Sequence, residues 1–308
     1  YNAAASGMSS DGTVVGTIAA GVAHDGAGNP NVASTSVDNQ VTYDATDPVS
    51  TIDDPEHGEV YNAASWTDPI AGGANDPLVS GTSSGVEKVE VSIQQGSGNW
   101  WGGSSFDQAT EQFLDATGTT GWTLAFPASN FPSDGLYTVH ARATDVAGNV
   151  ESSPTATFTY DTTDPTVVSV APSRVLVSDD DVGADEFAVT AVFSETMDTG
   201  STPGLVFDPD VAGGATPTLS NGSGSWSATA VANDTYTVVY DVADQNVDVR
   251  DITIDVTGGE DLAGNDQQDY TPQSEFSIDT LNPAVLSVTV NDTLLADADV
   301  GAWQFQVT

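Results

Sequence analysis

The chain has 308 residues, with 45 acidic side chains against four basic ones and a formal charge of −41. That balance excludes nucleic acid and anionic membrane surfaces as partners, because both recruit Lys/Arg-rich patches. Cysteine is absent, so disulfides and thiolate metal sites are excluded and the redox compartment stays open. No apolar run approaches the roughly 20 residues that insert across a bilayer. With no leader peptide and a start at Tyr1, the sequence is expected to be a window on a longer chain.

Asp outnumbers Glu 35 to 10, and the Asp residues cluster between apolar runs. A calcium-loaded protein concentrates Asp in loops, where the short carboxylate can ligate and cap its own turn. A salty habitat would add both acids over the whole surface; calcium is the favoured reading, and habitat can contribute alongside it.

In chain order, residues 1–47 read as the end of a repeat, with Ile18 to Asn29 corresponding to Ile254 to Asn265. They carry Asp25-Gly26-Ala27-Gly28-Asn29 and then Tyr43-Asp44-Ala45-Thr46-Asp47-Pro48. Residues 48–163 form a complete repeat. Period-two alternation predicts strands through Val89/Val91/Ile93, Tyr137/Val139/Ala141/Ala143 and Ala156/Phe158/Tyr160, and Phe106–Leu114 suggests one helical turn. This repeat ends on Asp145-Val146-Ala147-Gly148-Asn149 and Tyr160-Asp161-Thr162-Thr163-Asp164-Pro165. Residues 164–281 are a second complete repeat of a sister type. Strands are predicted through Phe187/Val189/Ala191/Phe193, Tyr236/Val238/Tyr240/Val242 and Ile252/Ile254/Val256, before Asp261-Leu262-Ala263-Gly264-Asn265 and Ile278-Asp279-Thr280-Leu281-Asn282-Pro283. Residues 282–308 restart the pattern, with a strand through Trp303/Phe305/Val307. Gly, Asn, Asp, Ser and Pro clusters between these runs supply turns. Many short strands in a repeat of this length predict an all-β fold of tandem immunoglobulin-like Greek-key sandwiches in an extended array.

The 48–163 repeat also carries Gly85-Val86-Glu87-Lys88-Val89, Trp100-Trp101, Phe126-Pro127-Ala128 and Asp134-Gly135-Leu136-Tyr137-Thr138-Val139. The 164–281 repeat carries Phe193-Ser194-Glu195-Thr196-Met197-Asp198. In the order and spacing of these motifs the whole chain resembles the bacterial Ig-like repeats of large extracellular adhesin-type surface proteins. The resemblance implies a cell-surface or secreted structural role, calcium at the domain joints, and no catalysis. It further implies neighbouring repeats of the same chain as partners, with other copies in a filament or surface layer as a further possibility.

In an immunoglobulin topology the Asp-x-Ala-Gly-Asn turn joins the last two strands, F and G, at the end where the chain enters the sandwich. The upstream linker is therefore expected beside it. Asp145 and Asn149 should face Asp44 and Asp47, and Asp261 and Asn265 should face Asp161 and Asp164; Asp25 and Asn29 are the first copy. At the exit end, Asp179 and Asp181 should approach Asp279 and Asn282, with Asp297 and Asp299 repeating that run. Such oxygen-only sets suit Ca²⁺, which takes six to eight oxygen ligands, better than Mg²⁺ or zinc. The competing reading is a tight turn: Gly148 at positive φ, Asn149 tolerating one, and Asp145 capping its own loop. For Asp179–Asp181 a solvated loop is an equal alternative.

His24, His57 and His140 have no Ser or Asp partner placed by the repeat, which leaves them structural or solvated. The Trp100-Trp101 pair raises an alternative function, a glycan- or surface-binding module, against the plainer reading that the rings cover the sandwich edge. An accessory region of a secreted enzyme is a further alternative.

Overall fold

The computed structural model describes residues 5–290, so the predicted strand at Trp303/Phe305/Val307 and the proposed ligands Asp297 and Asp299 lie outside the described residues. Two compact units are present. One holds the residues up to Thr163 together with Leu262–Asn265; the other holds Asp164–Asp261 and the residues from Asp266 on.

In the first unit, β1 (Gly12–Val15) and β2 (Gln40–Tyr43) form an antiparallel ladder from Gly12 opposite Tyr43 to Val15 opposite Gln40. A sandwich follows, built from β3 (Val49–Ser50), β4 (Val60–Tyr61), β5 (Ile70–Asn75), β6 (Val86–Gln95), β7 (Trp100–Trp101), β8 (Phe106–Gln108), β9 (Leu114–Asp115), β10 (Gly121–Leu124), β11 (Gly135–Asp145) and β12 (Thr155–Tyr160). One sheet has the order β10-β5-β3; the other runs β4-β12-β11-β6-β7-β8, with β9 beside β6. The first strand switches sheets, pairing antiparallel to β5 as β3 and parallel to β12 as β4.

In the second unit, β13 (Val167–Pro172), β14 (Leu176–Ser178), β15 (Gly183–Phe193), β16 (Gly204–Asp208), β17 (Leu219–Ser227), β18 (Thr235–Val242), β19 (Asp248–Thr257) and β20 (Ser274–Asp279) form two four-stranded sheets. Their orders are β13-β15-β18-β17 and β14-β20-β19-β16, with the same switch from antiparallel β13 to parallel β14. Both sandwiches have immunoglobulin-like strand order, with β11–β12 and β19–β20 as the F–G pairs.

Alternation decides which side chains enter the core. Val89, Val91 and Ile93 on β6 and Tyr137, Val139, Ala141 and Ala143 on β11 are fully buried, as are Phe187, Val189, Ala191, Ile252 and Ile254 in the second unit. Each Val, Ile or Phe among them contributes about 1.5–3 kcal/mol on transfer from water, and each Ala correspondingly less. With no disulfide between the sheets, aromatic rings take up that space in the first sandwich. Trp66 stacks on Phe158 with ring centroids 5.0 Å apart and donates its indole N–H to the Phe126 carbonyl at 2.8 Å.

The segment Phe106–Leu114 is not a helical turn but β8, an irregular stretch and the start of β9. Its side chains are drawn to opposite sides of a sheet, which a helix cannot satisfy. Phe106 packs on Trp101 and Phe126 in the core, whereas Glu111 pairs with His140 at 2.6 Å and Phe113 lies 3.8 Å from the Arg142 guanidinium.

Candidate metal site

The Asp-x-Ala-Gly-Asn turn has one local geometry. Gly28, Gly148 and Gly264 lie at φ of 89°, 94° and 82°, a region an L side chain occupies only under strain. Asn149 does not share that positive φ. Instead its backbone N–H donates to Asp145 Oδ1 at 2.8 Å and its amide to Asp145 Oδ2 at 2.7 Å. Asn29 grips Asp25 in the same way, at 2.9 Å for both bonds. Asp25 is exposed, and its hydrogen bonds, first that from the Asn29 amide, hold its carboxyl below the ordinary value. The turn reading is therefore correct locally, and it leaves ligation open where further carboxylates arrive.

In the first unit they do arrive. Asp44 from the linker after β2, Asp76 from the loop after β5 and Asp145 at the end of β11 bring carboxylate oxygens within 4.8 Å of one another. Asp145 is fully buried, Asp44 is 8% exposed and Asp76 is half-buried. Ser84 ties the three segments together. Its N–H donates to Asp44 Oδ2 at 2.6 Å, its hydroxyl donates to Asp76 Oδ2 at 3.4 Å, and Ala147 N–H donates to that hydroxyl at 3.2 Å. Gly85 N–H also donates to Asp76 Oδ2, at 2.7 Å. Asp76 Oδ1 is buried without a hydrogen-bond partner among the described residues.

Burial, together with the neighbouring carboxylates of Asp44 and Asp145, pushes the Asp76 carboxyl up. Burial pushes Asp44 the same way, but hydrogen bonds from Ser84 and Thr46 outweigh it and hold Asp44 below its ordinary value. Two charges 4.8 Å apart repel by roughly 3 kcal/mol at an effective dielectric of about 20. A divalent cation would reverse the sign of that interaction. The clustered donors are all carboxylate oxygens, and among the described residues no imidazole joins them, a set that suits Ca²⁺ better than zinc.

The remaining expected ligands separate into groups. Asp47 and Asp164 are exposed, each preceding a buried proline, Pro48 and Pro165. Asn149 and Asn265 donate their amides to the backbone carbonyls of Asp44 and Asp161, at 3.3 and 3.1 Å. In the second unit, carboxylate oxygens of Glu195 and buried Asp261 lie within 4.8 Å. Asp181 is taken up by its own neighbourhood: Arg174 lies 3.0 Å from Oδ1, and Ser178 donates its N–H to Oδ2 at 2.9 Å. Asp179 is exposed. Asp279 is exposed opposite Asp248 and Ser178, and Asn282 N–H donates to Asn246 Oδ1 at 2.9 Å. Of the two sets expected to meet at the exit end, Asp181 is thus engaged by Arg174 and Ser178, while Asp279 stands in register opposite Ser178, next to the exposed Asp179.

Sequence reasoning missed Asp76 and Glu195. Both follow the second strand of their sandwich, β5 and β15, and aligning the two repeats strand by strand would have paired them. The tryptophan pair is split: Trp101 is buried in the core against Phe126, and Trp100 lies on the outer face beside His140, ring centroids 5.5 Å apart.

No family profile and no curated protein matches the sequence. Among solved structures, fibronectin(III)-like modules of Clostridium thermocellum CbhA align at 18% identity over 75% of this chain and 94% of theirs, with a TM-score of 0.31. A tetra-tandem repeat from the extending region of a large adhesion protein aligns at 18% over 92% of this chain and 60% of its own, TM-score 0.30. A structure from a 1.5-MDa bacterial ice-binding adhesin aligns at 18% over 88% and 74%, TM-score 0.32. These scores carry no functional argument, and the fold rests on the chain's own sheets: tandem all-β sandwiches of immunoglobulin-like strand order.

Proposed function

We propose that this chain is a spacer segment of a large secreted or cell-surface adhesin-type protein, in which Ca²⁺ stiffens the joint where a linker enters a sandwich. The observation that carries the reading is the meeting of Asp44, Asp76 and Asp145, from three separate segments, with one buried oxygen of Asp76 left without a partner. Without metal this arrangement concentrates like charge at the point where linker and sandwich meet; with Ca²⁺ the same carboxylates become a shared ligand set. Asp261 and Glu195 occupy the corresponding strand ends of the second repeat. The reading assigns function to joints and not to a catalytic pocket. With Trp101 buried, the two rings are not displayed as a pair, which favours the spacer reading over a glycan-binding module.

At a free calcium concentration 100 times the dissociation constant, binding would stabilise the folded state by about 2.7 kcal/mol. The test is chelation. Adding EDTA to calcium-loaded protein should lower the melting temperature and broaden the distance distribution in small-angle scattering. If both stay unchanged, the reading is wrong.

A further inference from the structure

The linker that carries Asp44 is gripped by groups outside the carboxylate cluster. Asp11, 5% exposed and immediately before β1, accepts the Ala45 N–H on Oδ1 at 2.9 Å and the Thr46 hydroxyl on Oδ2 at 2.5 Å. Asp44 folds over the same turn, its Oδ1 accepting the Thr46 N–H at 3.2 Å. Asp134, immediately before β11, repeats the arrangement on the next linker: it accepts the hydroxyls of Thr162 and Thr163 at 2.9 and 2.8 Å, while Asp161 Oδ1 accepts the Thr163 N–H at 3.0 Å. In the second unit Asn246, shortly before β19, accepts the Asn282 N–H, and Asp279 Oδ1 accepts the Leu281 N–H at 3.2 Å.

Three times, then, a side chain just before a strand, β1, β11 or β19, holds the linker within three residues of its aspartate. In each case the linker aspartate spends one oxygen on an Asx turn. For Asp44, that leaves Oδ2 directed at Ser84 and the cluster. We infer that Asp11 is a positioning residue for the proposed calcium site: it fixes Ala45 and Thr46 so that Asp44 presents its second oxygen to Asp76 and Asp145 before any ion arrives. Asp11 itself is not among the three clustered carboxylates. Outer-shell groups of this kind typically set metal affinity by 10- to 100-fold. The inference rests on the calcium reading, and it locates the loosening on calcium removal between Asp44 and the 48–163 sandwich, with the linker still fastened to Asp11.

Calcium titration by calorimetry on the whole chain tests it, with variants Asp11→Ala, Asp11→Asn, Thr46→Val and Asp134→Ala. Asparagine at position 11 retains an acceptor for the Ala45 N–H, as Asn246 Oδ1 accepts the Asn282 N–H, and its amide can donate to the Thr46 hydroxyl. The expected result is a loss of about tenfold or more in affinity at the first site for Asp11→Ala. A smaller loss in the same direction is expected for Thr46→Val, near-native affinity for Asp11→Asn, and none for Asp134→Ala. Melting in EDTA shows whether each variant is folded, and Thr46→Val carries the test if Asp11→Ala is not. Wild-type protein that takes up no calcium overturns the calcium reading itself. Calcium binding that is unchanged in both Asp11→Ala and Thr46→Val overturns the positioning role alone. Equal losses in Asp11→Ala and Asp11→Asn also overturn it, since they would show that only the charge of Asp11 matters.

Discussion

The Asn149 side-chain amide donates to two segments at once: to Asp145 Oδ2 at 2.7 Å within its own turn, and to the backbone carbonyl of Asp44 at 3.3 Å, 105 residues away in sequence. One nitrogen thereby sets the distance between the F–G turn and the incoming linker. Asn149→Ala should remove both bonds, costing about 1–2 kcal/mol of stability with or without metal. It should also weaken calcium binding about tenfold through misplacement of Asp145. Calorimetric titration and thermal melts check the two effects separately. A variant that lost stability but kept native affinity would show that the amide is a turn cap and nothing more.

Asp76 should give effects of opposite sign in the two metal states. Its folded carboxyl is pushed above the ordinary value by burial and by Asp44 and Asp145. Between the ordinary and the raised value, the folded chain keeps a proton that the unfolded chain has lost. Stability of the metal-free protein therefore falls as pH rises through that window and stays lower above it. Asp76→Asn carries no charge at any pH, so at neutral pH it should melt higher than wild type in EDTA. The gap should close as the buffer is brought below the ordinary carboxylate range. In millimolar calcium the order should invert, because a ligand is lost. Melting shifts of the same sign in EDTA and in calcium would refute the assignment of Asp76 as a ligand.

The F–G turn was legible in sequence because its geometry is local: a glycine at positive φ and an Asp–Asn clasp four residues apart fit within five positions. Core strands were legible for the same reason, since alternation along β6, β11 and β15 needs no knowledge of the partner strand. Asp76 was not, because nothing adjacent to it distinguishes it from any acidic loop residue; only the packing of β5 against the far sheet carries it to Asp145. Asp44 and Asp47 looked equivalent. Burial of Pro48 and the Asx turn at Asp44 separate them, turning one inward and leaving the other in solvent. The strap at Phe106–Leu114 failed differently: its apolar spacing resembled a helical face, yet its side chains serve opposite sides of one sheet.

The corner that presents Asp134 depends on Tyr137, whose hydroxyl donates to the Ser133 carbonyl at 2.6 Å. A tyrosine at the start of the F strand bonding back across the E–F corner is a known device of this sandwich class. Tyr137→Phe should cost about 1 kcal/mol, read as a lower melting temperature at neutral pH. Burial pushes the Tyr137 and Tyr240 hydroxyls up to about 12. Folded protein then retains protons that the unfolded chain loses above the ordinary tyrosine value of 10.0, so stability should fall as pH rises from there. Phenolate absorbance should show a late-titrating fraction in the native protein, diminished in Tyr137→Phe. A single titration with all tyrosines near the ordinary value would contradict the burial of both rings.

Asp234 in the second sandwich supplies the contrasting case, an acidic group whose partners are all hydrogen-bond donors. It is 1% exposed. Its Oδ1 accepts the Thr229 N–H at 2.7 Å and the Thr235 hydroxyl at 2.8 Å. Oδ2 accepts the N–H groups of Ala230 and Val231 at 2.7 and 2.9 Å and the Thr229 hydroxyl at 3.0 Å. These bonds, that from Val231 first, hold the carboxyl well below the usual carboxylate range. A depressed folded value means the stabilisation is complete above the ordinary carboxylate pH and is lost as pH falls through the folded value. Asp234→Asn would set an amide N–H against backbone N–H donors and should lower the melting temperature by several degrees at neutral pH. That deficit should shrink only in strong acid and should be the same in EDTA and in calcium. A calcium-dependent deficit would place Asp234 among the metal ligands, and a deficit independent of pH would deny that its charge is what the loop binds.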